Sequence, residues 1–356
     1  MEFFEKEMLT ALEAKEKAQW IAFAPVVFQS TRILRDCGIL KAIEGTPDGL
    51  SFGEVVRKVN LPPYGIRVLM EAALGIGLLT LKDERYFTTK TASFILHDSL
   101  TRVNMDFIHD VCYQGMFHLE DSIKNGKPEG LKVFGEWPTI YEALSKLPEQ
   151  IQKSWFAFDH FYSDYAFPDV LGYVFETQPK TLLDIGGNTG KWALECFQFD
   201  PEIVVTIMDL PGQVEMAKAR IEASGYQDRI RFFACNILDD QQTFPKGFDA
   251  IWMSQFLDCF SESQIQSILK RCHTALSPDG CVYILEPFWD KQRFQASAFA
   301  LQQTSLYFTA MANGNSQMYH SGNFIKCIES AGFRVVDQQN LAGVHTLLKC
   351  QPQNKL

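Results

Sequence analysis

Asp184, Gly186, Gly187 and Gly190 stand close together in the stretch TLLDIGGNTGKW, residues 181–192. The apolar run Leu182–Ile185 reads as a strand, and Lys191–Phe199 behind the glycines has helical spacing. A strand, a tight glycine turn and a helix start bring exposed N–H groups to one point, where a carboxylate or phosphate is attracted. Glycine also lets the backbone take φ > 0 and pass close to a ligand. Further on, a second apolar run, Ile203–Met208, ends in Asp209. An acid at the tip of a second strand can hold a ribose diol. The G-G-N-T-G spacing is more compact than the dinucleotide pattern, and Asp184 would repel a pyrophosphate. A ligand with a cationic end would meet no such repulsion.

The elements that must position these residues are legible around them. From Lys180 onward, strand and helix patterns alternate. Strands are expected at 181–185, 203–208, 230–234, 248–253 and 281–286, and near 333–337 and 344–349. That is an α/β, doubly wound parallel sheet with an antiparallel strand at its end. Ahead of it, residues 101–153 are helical, and the aromatic-rich segment WFAFDHFYSDYAFPDVLGYVF, residues 155–175, reads as a helix broken at Pro168. Residues 19–40 read as helices broken at Pro25. Ser51 and Glu54 form a capping box for a helix over 52–59, and a second helix is expected over 64–74. Residues 78–81 and 85–88 form a small hairpin around Asp83 and Glu84. Helix, helix and a two-stranded wing make a winged-helix pattern. Its second helix offers only Arg67 as a basic residue, which favours dimerisation over DNA binding. The chain divides on this reading into 1–100, 101–175 and 176–356.

Composition agrees with a globular enzyme of 356 residues. Hydrophobic residues make up 46%, enough for a large core, and no apolar run is long enough for a membrane span. The charged N-terminus lacks a signal-peptide core, and the nine cysteines have no C-x-x-C spacing. A cytoplasmic, reducing setting is expected, with no metal, no membrane and no disulfide framework. The net charge of −10 argues against nucleic acid as a partner.

A strand followed by D-x-G-G-x-x-G and an acidic second strand resembles motif I of S-adenosylmethionine-dependent methyltransferases. The resemblance extends over nearly the whole chain. LRDCGILKAIE, RYFTTKTASFIL, LLDIGGNTG, IMDLPGQVEMAK, FFACNILDD, FDAIWMSQFLDCFSESQIQSILKRCHTALSPDGCVYILEPF and ESAGF follow in order. As a set they resemble the O-methyltransferases of plant phenolic and bacterial polyketide and phenazine type. That family has an N-terminal winged-helix dimerisation domain and a Rossmann-like, seven-stranded catalytic domain. The resemblance implies a homodimer, S-adenosyl-L-methionine as cofactor and a small aromatic or polyketide-like hydroxyl as acceptor. It places Asp184, Gly186 and Gly187 around the cofactor's methionine, with Gly190 also counted among the cofactor-binding residues. Asp209 takes the ribose hydroxyls, Leu210 lies beside the adenine, and Asn236 and Ile237 border it. The competing reading of Asn236 is a turn residue ending a strand.

The chain departs from the family at its base. Family members read L-H-D-W, and that histidine deprotonates the acceptor; here Leu257-Asp258-Cys259-Phe260 stands in register. Asp258 therefore takes the histidine's place, with the family carboxylate Glu286 in support. A second family carboxylate falls near Met318 and is absent. An unperturbed carboxylate is a weak base for a phenol, and burial that raises its pKa would help. His160 offers another route, spaced i, i+4 from Asp164, although such pairs are common on plain helix surfaces. Phe158, Tyr162 and His320 are expected in the acceptor pocket. Two further readings stay open: other chemistry on the same fold, such as hydroxylation or decarboxylation, and a winged-helix regulator that senses the cofactor.

Overall fold

The computed structural model of the chain describes residues 4–341 and 343–353, apart from the side chains of Ser163 and Asp164. The chain divides into two compact units, Met1–Ile108 and His109–Leu356. In the first unit the order is α1 (Ala11–Asp36), α2 (Ile39–Glu44), α3 (Phe52–Lys58), α4 (Pro63–Ile76), β1 (Leu79–Lys82), β2 (Arg85–Thr88), α5 (Lys90–His97) and α6 (Ser99–Phe107). Thr10 with Glu13 and Ser51 with Glu54 form capping boxes at α1 and α3. The expected break at Pro25 is absent, since α1 runs through it. The lost main-chain bond falls on an exposed stretch where water can serve the carbonyl. Asp83 and Glu84 both take φ > 0, the primed two-residue turn whose twist suits the β1–β2 hairpin. Leu34, Ile39, Leu40, Val55, Ile66 and Met70 close a small core.

The second unit holds α7 (Leu119–Asn125), α8 (Ile140–Ala143), α9 (Glu149–Ser163), α10 (Phe167–Val174), β3 (Thr181–Ile185), α11 (Lys191–Phe199), β4 (Val204–Asp209), α12 (Pro211–Glu222), β5 (Ile230–Ala234), β6 (Phe248–Ser254), α13 (Glu262–Ala275), β7 (Leu276–Glu286), α14 (Gln295–Tyr307), α15 (Ser321–Ser330), β8 (Phe333–Asn340) and β9 (Thr346–Pro352). The break expected at Pro168 comes earlier, in a short turn at Asp164–Ala166. Pro168 itself sits in the first turn of α10, where a missing N–H costs nothing.

The seven strands are ordered β5-β4-β3-β6-β7-β9-β8, and β9 runs antiparallel to both its neighbours. Strands buried on both faces explain the continuous apolar runs. Successive residues feed opposite cores: Leu182, Val205 and Trp252 pack under α10 to α12, while Leu183, Ile251 and Met253 pack under α13 and α15. Trp192 stacks on Trp252 with ring centroids 4.0 Å apart. The connections wind one way from β3 to β5 and the other way from β6 to β7. The crevice at the carboxyl ends of β3 and β6 is therefore where a ligand is expected.

Candidate active site

A cavity of about 340 Å³ opens at that crevice. The carboxyl ends of three strands line it: Asp184 is the last residue but one of β3, Asp209 ends β4 and Ser254 ends β6, while Glu286 ends β7 behind the lining. Gly186 takes φ +77°, and a Cβ there would lie 2.2 Å from the Phe256 ring. A Cβ on Gly187 would meet Asp184 Oδ2 at 2.7 Å. The glycines are thus demanded by neighbours as well as by backbone. Gly190, at φ +77°, caps α11 and packs toward Ile207 and Ile221, outside the cavity lining. Asn188 and Gln255 line the cavity with φ near +47° and +46°, left-handed conformations that are uncommon for non-glycine residues.

Three acids gather at the glycine turn. Asp209 accepts from the N–H groups of Asn188 at 2.9 Å and Leu210 at 2.7 Å. Burial outweighs those bonds and pushes its pKa up to about 6. Asp184 is buried, and burial with the nearby Asp209 charge raises it well above the carboxylate range. Asp159, from α9, accepts from Asn188 Nδ2 at 3.2 Å and is likewise pushed up to about 6 by burial. Leu210, Asn236 and Ile237 line the same end. Asn236 also performs the turn duty that its residue type suggested, its Oδ1 accepting from Leu238 N–H at 3.0 Å.

At the other end, Asp258 lies on a short turn, Leu257–Cys259, ahead of α13 rather than on a helix. It is 4% exposed, and burial pushes its pKa up to about 7. The turn is held from several sides. Glu286 Oε1 accepts from the N–H groups of Phe256 at 3.1 Å and Leu257 at 2.8 Å. Asn313 Nδ2 donates to the Cys259 carbonyl at 2.6 Å, and the Tyr319 hydroxyl donates to the Phe260 carbonyl at 2.6 Å. Glu286 does not line the cavity; burial and the Asp258 charge raise its pKa, so it anchors the turn from behind.

Phe158, His160 and Tyr162 line the cavity from α9, and Phe158 packs on Tyr162 with centroids 4.9 Å apart. Burial lowers the His160 pKa, keeping its ring neutral. The Asp164 side chain, the proposed partner of His160, lies outside the described residues. His320 is a correction: it does not line the cavity. Its Nδ1 caps α15 by accepting from Gly322 N–H at 3.0 Å, and its ring lies edge-on to Trp289. Its place in the chain suggested a pocket, but its nitrogen is spent on the helix end. Asp159, Tyr141, Trp155, Tyr307 and Asn313 also line the cavity and were not foreseen. Trp155 Nε1 donates to the Tyr307 hydroxyl at 2.7 Å across 152 residues of sequence, a pairing no local spacing encodes. Asp159 adjoins His160 in the aromatic segment, and its acidity there was the available signal.

Comparison with known proteins places this architecture. The O-methyltransferase domain family matches residues 116–334, and a Dimerisation2-like domain matches residues 15–86. A 3-hydroxy-5-methyl-1-naphthoate 3-O-methyltransferase from Streptomyces sahachiroi is 26% identical over 67% of this chain and 68% of its own. The tetracenomycin polyketide synthesis 8-O-methyl transferase TcmO of Streptomyces glaucescens is 22% identical over 84% and 86%. The apo crystal structure of the S-adenosylmethionine-dependent methyltransferase SibL superposes with a TM-score of 0.71, at 22% identity, over 94% of this chain and 98% of that one. The cavity fits the cofactor these proteins imply. Asp184 Oδ2 and Asn188 Oδ1 are buried oxygens with no hydrogen-bond partner among the described residues. With Asp159 and Asp209 beside them, they suit a ligand bearing a sulfonium, an ammonium and a diol. By the family match over most of its length, the chain belongs to the S-adenosylmethionine-dependent O-methyltransferases.

Proposed function

We propose that the enzyme methylates a hydroxyl on a small aromatic or polyketide-like acceptor, with Asp258 taking the hydroxyl proton. The supporting observation is a buried carboxyl, pushed up to about 7, on the cavity wall where the family resemblance implies histidine. When bound, the cofactor supplies an electrophilic methyl group on its sulfonium. Asp184, Gly186, Gly187 and Asn188 would hold the methionine end, with Asp159 and Asp209 adding acid beside them. Asp209 would take the ribose hydroxyls, and Leu210, Asn236 and Ile237 would border the adenine. Phe158, Tyr162, Trp155 and Tyr307 would wall the acceptor, with neutral His160 among them. Against an ordinary phenol near pKa 10, a base near 4 faces a roughly million-fold unfavourable transfer, and one near 7 about a thousand-fold. Glu286 keeps the base in place through the Phe256 and Leu257 N–H groups.

The relatives are methyltransferases, which favours methyl transfer over the non-methylating and sensing alternatives. The matched dimerisation domain supports a homodimer, with the helix–helix–hairpin of the first unit serving as a winged-helix-like module. No described helix is long and apolar enough to cross a membrane, and we place the enzyme in the cytoplasm. The test is methyl transfer from labelled S-adenosylmethionine to a panel of aromatic hydroxyls, with cofactor affinity measured by calorimetry. Asp209→Ala should weaken cofactor binding by about 1.5–3 kcal/mol. Binding of NAD in preference to S-adenosylmethionine would overturn the assignment.

A further inference from the structure

We propose that the acceptor is an aromatic hydroxyl free of anionic groups, either uncharged or carrying a protonated amine, and that acidic aromatic compounds are refused. The inference rests on the O-methyltransferase reading and follows from the charges around the cavity. Its acidic lining residues are Glu142, Asp159, Asp184, Asp209 and Asp258. Its basic ones, among the described residues, are Lys191 and His160. Lys191 opens α11 directly behind the glycine turn, at the cofactor end. His160 is neutral because burial disfavours its charged form.

The acceptor end is built differently. Tyr141, Trp155, Phe158, Tyr162, Tyr307 and Phe308 supply its walls, and Asp258 and exposed Glu142 supply its charge. No lysine or arginine lines that end among the described residues. An acceptor carboxylate would leave water without a counter-charge and approach a buried carboxylate of like sign. A neutral ring meets no such opposition. A protonated amine gains, because aromatic faces and a carboxylate both attract a cation.

Three naphthalenes of one shape provide the test: 2-naphthol, 6-(aminomethyl)-2-naphthol and 6-hydroxy-2-naphthoic acid. Each is titrated by calorimetry at pH 7.5 into the full-length protein saturated with S-adenosylhomocysteine. The naphthol and the amine should bind, and the acid should bind at least tenfold more weakly than either. Asp258→Asn should narrow the gap between acid and naphthol, with S-adenosylhomocysteine still bound. The inference is overturned if the acid binds as well as the naphthol. It is also overturned if none of the three binds to the S-adenosylhomocysteine complex. Failure to bind S-adenosylhomocysteine at all would instead bring down the O-methyltransferase reading, and this inference with it.

Discussion

Asp258 joins two properties that seldom meet in a carboxyl: it faces a ligand cavity, and it titrates near neutrality. The sign of its effect on catalysis follows directly. A base must be ionised, so kcat/KM should fall about tenfold per pH unit below pH 7 and level off above it. Bound cationic cofactor favours the carboxylate, so the limb in kcat should lie lower. Asp258→Asn should remove the limb and cut kcat by roughly 10²-fold, with cofactor affinity intact. An unchanged profile would pass the role to His160 or to an acceptor that arrives ionised. The same carboxyls bear on stability. Asp159 and Asp209 near 6 and Asp258 near 7 all lie above their unfolded values. The folded state thus holds these protons more tightly. The stability they contribute is full below about pH 4 and is lost as pH rises through 6 to 7. The cofactor-free protein should melt several degrees lower at pH 8 than at pH 5.5, and Asp258→Asn should flatten that slope. Differential scanning calorimetry across the range decides it. At this scale the cofactor end was legible in the sequence, because local spacing creates the glycine turn and the acid at the next strand tip. The acceptor end was only half legible. Tyr141, Trp155, Tyr307 and Asn313 are brought in by packing between distant helices, and His320 was misplaced because its nitrogen was needed as a helix cap.

Among elements, the β3–α11 turn carries the strictest steric demand. Gly186 needs a left-handed backbone, and its missing Cβ makes room for the Phe256 ring. Gly186→Ala therefore meets a conformational cost of about 1–2 kcal/mol and a clash that pushes on the Asp258 turn. Cofactor affinity should fall at least tenfold, and the melting temperature should drop. Adding Phe256→Ala should recover part of the melting temperature if the clash is the cause. A double variant no better than the single would assign the whole effect to backbone strain. β3 to β6 were readable to within one residue, and β8 and β9 each run three residues past their expected ends. Runs such as Val205–Met208 are mostly apolar on both faces and end sharply at an acid. β7 was read least well, since it begins at Leu276, five residues early, through polar residues that give no strand signal. The two proline errors share one physical cause. A proline removes a single donor, which matters in a buried helix interior. It matters little in the first turn of α10 or on the exposed part of α1.

For the whole molecule, the exposed part of α1 sets the question. Leu12, Trp20, Ile21, Phe23 and Val26 are exposed there, strung along about 21 Å of helix. Apolar side chains gathered in this way mark an interaction surface more often than a bare one. The charge of −10 keeps separate molecules apart at long range, so specific apolar contact must supply the attraction. The matched dimerisation domain, residues 15–86, covers most of this stretch. A second copy of the chain is the occupant it favours. Replacing Ile21 and Phe23 together by aspartate removes exposed apolar area without touching the buried residues Thr31 and Leu34, which tie α1 to its own unit. The wild type should sediment as a dimer, and the variant should fold with an unchanged circular dichroism spectrum and sediment as a monomer. Added negative charge on both copies would repel as well as forfeit burial, so the shift should be large. If the variant sediments as the wild type does, α1 does not hold two copies together, and its exposed apolar residues need a different partner.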